Sequence, residues 1–347
     1  MIAMAPVPST PPSPDRAFRV SRRALLAAPG LLALGGCVAE MAPAGPDVEP
    51  PRMDSDVFVM PDGARLPFRA WLPEGEPEVA MLALHGINDS RDAWEFPAPL
   101  LTARGVALYG PDQRGFGQAP GRGLWPGTRR LVEDAAAMAR LVAARHPGVP
   151  LVLLGESMGG AVLMVLAASP LAPPGARYVL SAPAVWGRAR MNWALQGILW
   201  LARHTLPGLV IGPGPLRVTA SDNREALIRL STDPLTLHGT RVDVVAGLVD
   251  LMDAALAAAP RQPGPALFLY GGHDELVPPA ATRATWQALP AGRGIVRSYY
   301  PEGYHLLLRD LGRAATLADI LSWVAAPARP LPSGGEARAA AWLAAQA

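Results

Sequence analysis

From residue 55 onward the chain alternates short apolar runs with longer amphipathic ones. Val79–Leu84, Val106–Tyr109, Leu151–Leu154, Tyr178–Leu180, Ala266–Tyr270 and Ile295–Tyr299 are largely apolar. Strands buried on both faces read this way, because helices cover each side of a parallel sheet. The helical period falls between them, over Arg129–Arg145, Met158–Ala168, Ala280–Ala288 and Leu311–Ala325. Asp56–Met60 and Phe68–Leu72 are shorter, alternating runs around Pro61-Asp62-Gly63, the pattern of an antiparallel hairpin. Strands alternating with helices predict an α/β fold, a doubly wound and mostly parallel sheet led by that hairpin.

One stretch breaks the rhythm. Roughly 80 residues separate Ser181 from Ala266, far more than a crossover needs. Pro183 to about Gly239 is expected to be a helical cap inserted over the sheet, with Arg241–Ala259 the helix that returns to the core. The main domain then spans 54–326. The tail, 327–347, follows a Pro/Gly break and is Ala-rich, a marginal helix at best.

Half of the residues are hydrophobic and 17% are charged, enough apolar surface to exclude a disordered chain. A single cysteine excludes an internal disulfide framework. All 31 basic residues are arginine, and the formal charge is +2. Residues 1–36 hold Arg16, Arg19, Arg22 and Arg23 against Asp15, so the rest of the chain is slightly acidic. Removal of that leader would remove any case for a nucleic-acid partner. The leader itself has the parts of an export signal: Ser21-Arg22-Arg23, an apolar run from Ala24 to Leu34, then Gly35-Gly36-Cys37. The run is too short to cross about 30 Å of hydrocarbon, as a signal segment is. Leu34-Gly35-Gly36-Cys37 resembles the lipobox of bacterial lipoproteins. That resemblance implies cleavage after residue 36, lipid attachment at Cys37 and an exported, periplasm-facing envelope protein. By the same resemblance, Val38 after the cysteine implies the outer membrane. Ser21–Leu26 is also similar to a twin-arginine signal, with the general secretion route left open. Residues 37–53 contain Pro43, Pro46, Pro50 and Pro51 and read as an extended tether, holding the domain about 40–50 Å from the lipid.

The chemistry is concentrated at strand ends. Leu151–Leu154 runs directly into Gly155-Glu156-Ser157-Met158-Gly159-Gly160 and then a helix. A serine on a tight strand-to-helix turn needs small neighbours, and the helix start directs N–H groups toward charge developing beside it. Ser157 is the expected nucleophile. A serine hydroxyl needs a base and a group that orients the base, and in this arrangement the acid and then the histidine follow on later loops. Asp274 and His305 stand where that order demands, with Glu275 the second choice of acid. Backbone N–H groups of Ile87 and Met158 are the expected oxyanion donors. His85 is expected to brace its own loop, and Asp112 with Arg114 to stabilise the loop of residues 110–117. No zinc-type spacing such as H-E-x-x-H occurs, and no metal or other cofactor is expected. In the cap, Trp186, Trp193 and Trp200 recur every seven residues. Their helix is apolar on all sides, which predicts burial on more than one face. Trp193 and Trp200 are therefore expected either to line an acyl pocket above Ser157 or simply to pack the cap on the core, with another face free for a membrane.

Together these residues resemble the serine hydrolases of the α/β-hydrolase fold, and among them the monoacylglycerol lipase and lysophospholipase group. The resemblance covers roughly 55–326 and rests on His85-Gly86, Asp112-x-Arg114-Gly115-x-Gly117, Gly155–Gly160, Gly272-His273-Asp274 and Gly303-Tyr304-His305, with Ser221-Asp222 and Asp233-Pro234-Leu235 in the cap. It departs at Asn88-Asp89-Ser90, where these lipases often carry Gly-Glu-His, and at Gln118 in place of a serine. It implies two-step acyl transfer on an ester or lipid substrate. A short-acyl carboxylesterase, a thioesterase or a serine aminopeptidase would use the same triad. The peptidase would need carboxylates such as Asp222, Glu225 and Asp233 to hold an amine. A membrane-tethered binding module is the reading from a different class.

Overall fold

The computed structural model describes residues 41–42, 45–212 and 218–345. The leader and Cys37 lie outside the described residues, as do the export and lipid-attachment expectations that rest on them. Along the chain come β1 (Arg52–Met53), β2 (Val57–Val59), β3 (Arg65–Trp71), β4 (Val79–Leu84), α1 (Ala98–Thr102), β5 (Val106–Pro111), α2 (Thr128–Arg145), β6 (Leu151–Glu156), α3 (Met158–Ala167) and β7 (Arg177–Ser181). Then follow α4 (Trp193–Thr205), β8 (Val210–Ile211), α5 (Arg224–Thr232), β9 (Thr240–Arg241) and α6 (Val242–Ala258). The chain closes with β10 (Ala266–Gly271), α7 (Pro279–Ala288), β11 (Ile295–Tyr300), α8 (Arg313–Ala325) and α9 (Gly335–Ala344).

The main sheet has the order β1-β2-β3-β5-β4-β6-β7-β10-β11. β1, β2 and β3 pair antiparallel, β3 is antiparallel to β5, and every later neighbour is parallel. Leu82 and Leu84 of β4 join one apolar core with α2, α3, α6 and α7, while Met81 and Ala83 join a second with α1 and α8. Both faces being covered explains why these strands are continuous apolar runs rather than alternating ones. The sheet is that of an α/β-hydrolase fold.

Three expectations are corrected. The tail is not marginal: α9 packs on β11, with Trp342 stacked on Tyr299 at 5.0 Å and edge-on to Trp286 at 5.5 Å. Tertiary packing supplies what a ten-residue helix lacks alone. The described part of the presumed tether does not stand free. Ala42 is buried and donates to the Trp125 carbonyl, Val48 donates to Pro61, and Arg52–Met53 adds a strand to β2.

The third correction is the cap helix. No residue of α4 is buried. Trp193 is 86% exposed and Trp200 63%, so neither walls an enclosed pocket and neither packs the cap on the core. The polar side chains of the helix turn inward instead: Arg203 reaches Asp250 of α6 at 3.3 Å, and the Gln196 amide donates back to the Arg188 and Met191 carbonyls just before α4. With that side facing inward, the apolar side chains turn out to solvent. Among the described residues no helix is long and apolar enough to cross a membrane.

Candidate active site

β6 delivers Ser157 to a backbone conformation that L-residues rarely adopt, φ 53° and ψ −113°. The surroundings hold it there. Its N–H donates to the Ser181 carbonyl (3.0 Å), and its carbonyl accepts from Ala161 (3.0 Å) and Ala184 (2.9 Å). The flanking glycines are steric requirements. A Cβ on Gly159 would sit 2.1 Å from the Leu84 carbonyl oxygen, and one on Gly155 2.6 Å from the Gly159 and Gly160 backbone. Strain of this kind persists only where packing over-determines it.

The turn after β4 lies against the serine: a Cβ on Gly86 would be 3.3 Å from Ser157 Cβ and 3.9 Å from its Oγ. The turn is closed by the Asp89 N–H to the Gly86 carbonyl (3.4 Å), with Asn88 at φ 63°. Asparagine is among the few residues that tolerate this angle. Among the described residues, neither the Ile87 nor the Met158 N–H is taken up by an acceptor; Met158 opens α3, where the first N–H groups have no helical partner. His85 braces the turn as expected. Gln113 N–H donates to its Nε2 (3.0 Å), so Nδ1 carries the proton and donates to the Gly86 carbonyl (2.7 Å). Burial lowers its pKa and keeps it neutral.

Asp274 and His305 meet at the ends of β10 and β11. His305 Nδ1 is 2.8 Å from Asp274 Oδ2, and both side chains are buried. Asp274 Oδ1 accepts from the Leu276 (2.8 Å) and Val277 (2.9 Å) N–H groups, which fixes the carboxylate. Burial opposes charge on His305, but the charge and hydrogen bond of Asp274 outweigh it, and the imidazole pKa is raised above 6.5. Glu275 turns away and accepts from the Thr219 N–H of the cap at 2.7 Å. The cap segment around Ser221 is stitched to the histidine loop as well: Leu306 N–H donates to the Ala220 carbonyl (2.9 Å), and Ser221 Oγ donates to Asp310 Oδ1 (2.6 Å). Asp310 Oδ2 in turn accepts from the Tyr304 N–H (2.8 Å).

Asp112 and Arg114 do not pair with each other. Asp112 takes Arg91 (2.6 Å) and the Gln118 N–H (2.8 Å), while Arg114 is held by Asp62 (2.9 Å) and Asp134 (2.8 Å). They are neighbours in sequence facing opposite ways, each locking a different part of the loop. A further network was not foreseen. Arg309 is buried between Asp89 of the turn after β4 and Glu156, the residue before Ser157, with 2.7 Å to Glu156. The signal was present, since Arg309-Asp310 closes the apolar run Leu306-Leu307-Leu308, where charge survives only if partnered. Of the cap carboxylates, Asp222 accepts from the Leu311 N–H (2.8 Å), and buried Asp233 accepts from Leu235 (2.8 Å); both are used internally. Among the described residues no group of three His, Cys, Asp or Glu is gathered to hold a metal ion.

A serine on this elbow, in this sheet, makes the protein a serine hydrolase of the α/β-hydrolase fold. The chain belongs to the Hydrolase_4 family, described as serine aminopeptidase, S33, whose model matches residues 75–312. It is similar to the monoacylglycerol lipase of Mycolicibacterium smegmatis, 25% identical over 76% of this chain and 93% of that one. The monoglyceride lipase of Rattus norvegicus is 28% identical over 81% and 95%. In fold it resembles a soluble variant of monoglyceride lipase from Saccharomyces cerevisiae, with a TM-score of 0.65 at 19% identity, covering 82% of this chain and 96% of that one.

Proposed function

We propose that the protein hydrolyses carboxylic esters, monoacylglycerols or lysophospholipids before others, by acyl transfer through Ser157. The serine attacks the ester carbonyl, His305 takes its proton and delivers it to the leaving alcohol, and Asp274 orients the imidazole and balances its charge. Water, activated by the same histidine, then releases the acid. The Ile87 and Met158 N–H groups face the oxygen that becomes negative. What carries this reading is the 2.8 Å Asp274–His305 hydrogen bond at the strand ends beside a serine held at φ 53°. The similarity to monoacylglycerol lipases supports the ester class. Of the three cap carboxylates that an amine-bearing peptide substrate could use, Asp222 and Asp233 accept internal backbone N–H groups, and exposed Glu225 remains. A chain-length series tests it. Monoacylglycerols of medium or long chain are expected to exceed p-nitrophenyl butyrate in kcat/KM, with aminoacyl amides uncleaved; faster cleavage of the amides would contradict the assignment.

We further propose that the enzyme works at an envelope membrane, anchored through Cys37, with the outer side of α4 against lipid. The support is an exposed apolar group that includes Trp193, Ile198, Trp200, Leu201 and Leu209 on one cap segment. Indoles of this kind favour the headgroup boundary. Trp193→Ala with Trp200→Ala should lower the rate on vesicle-borne monoacylglycerol by roughly tenfold or more, leaving butyrate hydrolysis and Tm unchanged. Equal losses on both substrates would refute the lipid contact. Labelled fatty acid should enter the wild type and not Cys37→Ala; an unlabelled wild type would remove the anchor.

A further inference from the structure

Four segments must be in register for the proposed acyl transfer: the turn after β4, the strand carrying the serine, the loop carrying the histidine, and the cap that closes over them. One residue touches or adjoins all of them. Arg309 lies four positions beyond His305, in a turn closed by its own N–H to the Leu306 carbonyl (2.8 Å). The same guanidinium nitrogen, Nη2, donates to Asp89 and to Glu156. The Asn223 amide of the cap donates to the Arg309 carbonyl at 2.8 Å. Asp89 also accepts from the Ser90 N–H at 2.8 Å, and its own N–H closes the turn that contains Ile87. The Arg309 side chain is 4% exposed, that of Glu156 not at all, and that of Asp89 8%.

Building two carboxylates and a guanidinium into a dry site is unfavourable unless the geometry returns something. Packing alone would be served by apolar side chains of the same volume. Moreover, the network is imperfectly satisfied: Arg309 Nε and Glu156 Oε2 have no partner among the described residues. Such a network fits residues kept for what they hold in place rather than for stability.

We infer that Arg309 is a positioning residue for acyl transfer: by bridging Asp89 and Glu156 it sets the Ile87 N–H, the Ser157 elbow and the His305 loop relative to one another. The inference rests on the acyl-transfer reading above. The guanidinium is buried against Asp89 and Glu156, and its effect passes through the turn of Asp89 and through the strand end at Glu156. A fault in this bridge therefore acts on the oxyanion and on serine attack, which shows in kcat. Ground-state binding of a small ester, and hence KM, is left nearly alone.

The experiment compares Arg309→Met, Arg309→Lys and Asp89→Asn with the wild type, counting sites with a fluorophosphonate probe and assaying p-nitrophenyl butyrate. Misplacing one oxyanion donor lowers kcat by about 10²–10³-fold. Arg309→Met should accordingly lose about a hundredfold in kcat per titrated site, with KM within about threefold of the wild type. Arg309→Lys should recover part of that loss, because it restores the charge on a shorter side chain whose ammonium reaches the two carboxylates less fully than Nη2 does. Asp89→Asn, which keeps shape and can still accept a hydrogen bond, should lose roughly tenfold. A merely structural residue would lower Tm and the number of titratable sites while leaving kcat per site unchanged. Should Arg309→Met not fold, the same reading is made on the other two variants. If kcat per titrated site stays within about threefold of the wild type in every variant that folds, the proposal is overturned. A wild type that takes no probe at Ser157 overturns the acyl-transfer reading, and this proposal with it; a labelled wild type with unaltered variants overturns this proposal alone.

Discussion

Ser157→Ala and His305→Ala should each lower kcat by about 10⁴–10⁶-fold, with the double variant little worse than either, because nucleophile and base act as one unit. On the proposed mechanism, Ser157→Ala leaves no acyl-enzyme to form. Without His305 the hydroxyl keeps its proton and attacks as a neutral alcohol. Asp274→Asn should cost less, since the base remains while its orientation and charge balance suffer. It also has a signature of its own. The base acts as neutral imidazole in the proposed mechanism, and Asp274 raises its pKa from the ordinary histidine value, so activity should fall as the pH drops through that raised pKa. The charge and hydrogen bond of Asp274 are what lift it against burial. Removing the charge should move the acid limb of kcat/KM to lower pH. A limb that stays in place, or full activity in His305→Ala, would contradict the assignment.

The second large effect concerns stability. Arg114 is 2% exposed and lies between two carboxylates, Asp62 and Asp134, both within 3 Å. Burial pushes the Asp134 carboxyl upward even with Arg114 opposing it; for Asp62 burial acts the same way, but the arginine prevails and the pKa is lowered. Arg114→Met keeps the volume and deletes the charge, leaving two uncompensated acids. Breaking a buried pair in this way costs about 3–5 kcal/mol. At roughly 2–4 °C per kcal/mol for a chain of this size class, the melting temperature should fall by about 6–20 °C. Adding Asp134→Asn should recover part of the loss, and kcat per titrated site at 25 °C should stay within a few-fold, because Arg114 bonds to neither the serine nor the histidine loop. A change in denaturant midpoint equivalent to less than about 1 kcal/mol would show that the pair is stabilised by something other than its partners.

What could be read without the structure followed from how directly each feature depends on local pattern. Strands β4, β6 and β10 are flooded with apolar residues because both sheet faces are covered, so their runs are hard to mistake. The placement of Ser157, Asp274 and His305 was legible because each follows a strand in an order that this kind of sheet imposes. The reading of α4 failed for a physical reason. An all-round apolar pattern implies that something covers the helix, but not that the rest of the same chain does; here Gln196 and Arg203 face inward and Trp193 outward. Arg309, Asp89 and Glu156 lie 220 and 153 positions apart in sequence, and no local period could join them. The tail was misjudged for the opposite reason: Trp342 finds Tyr270, Tyr299 and Trp286 only in three dimensions.

In the proposed mechanism Ser157 is the nucleophile and His305 its base. Incubating the full chain with a fluorophosphonate and mapping the modified peptide tests it most directly. The expected result is one equivalent of phosphonate bound on Ser157, loss of ester hydrolysis in step with labelling, no label in Ser157→Ala and labelling slowed by orders of magnitude in His305→Ala. Phosphonate found on another residue, or ester hydrolysis that persists once Ser157 is fully modified, would contradict it.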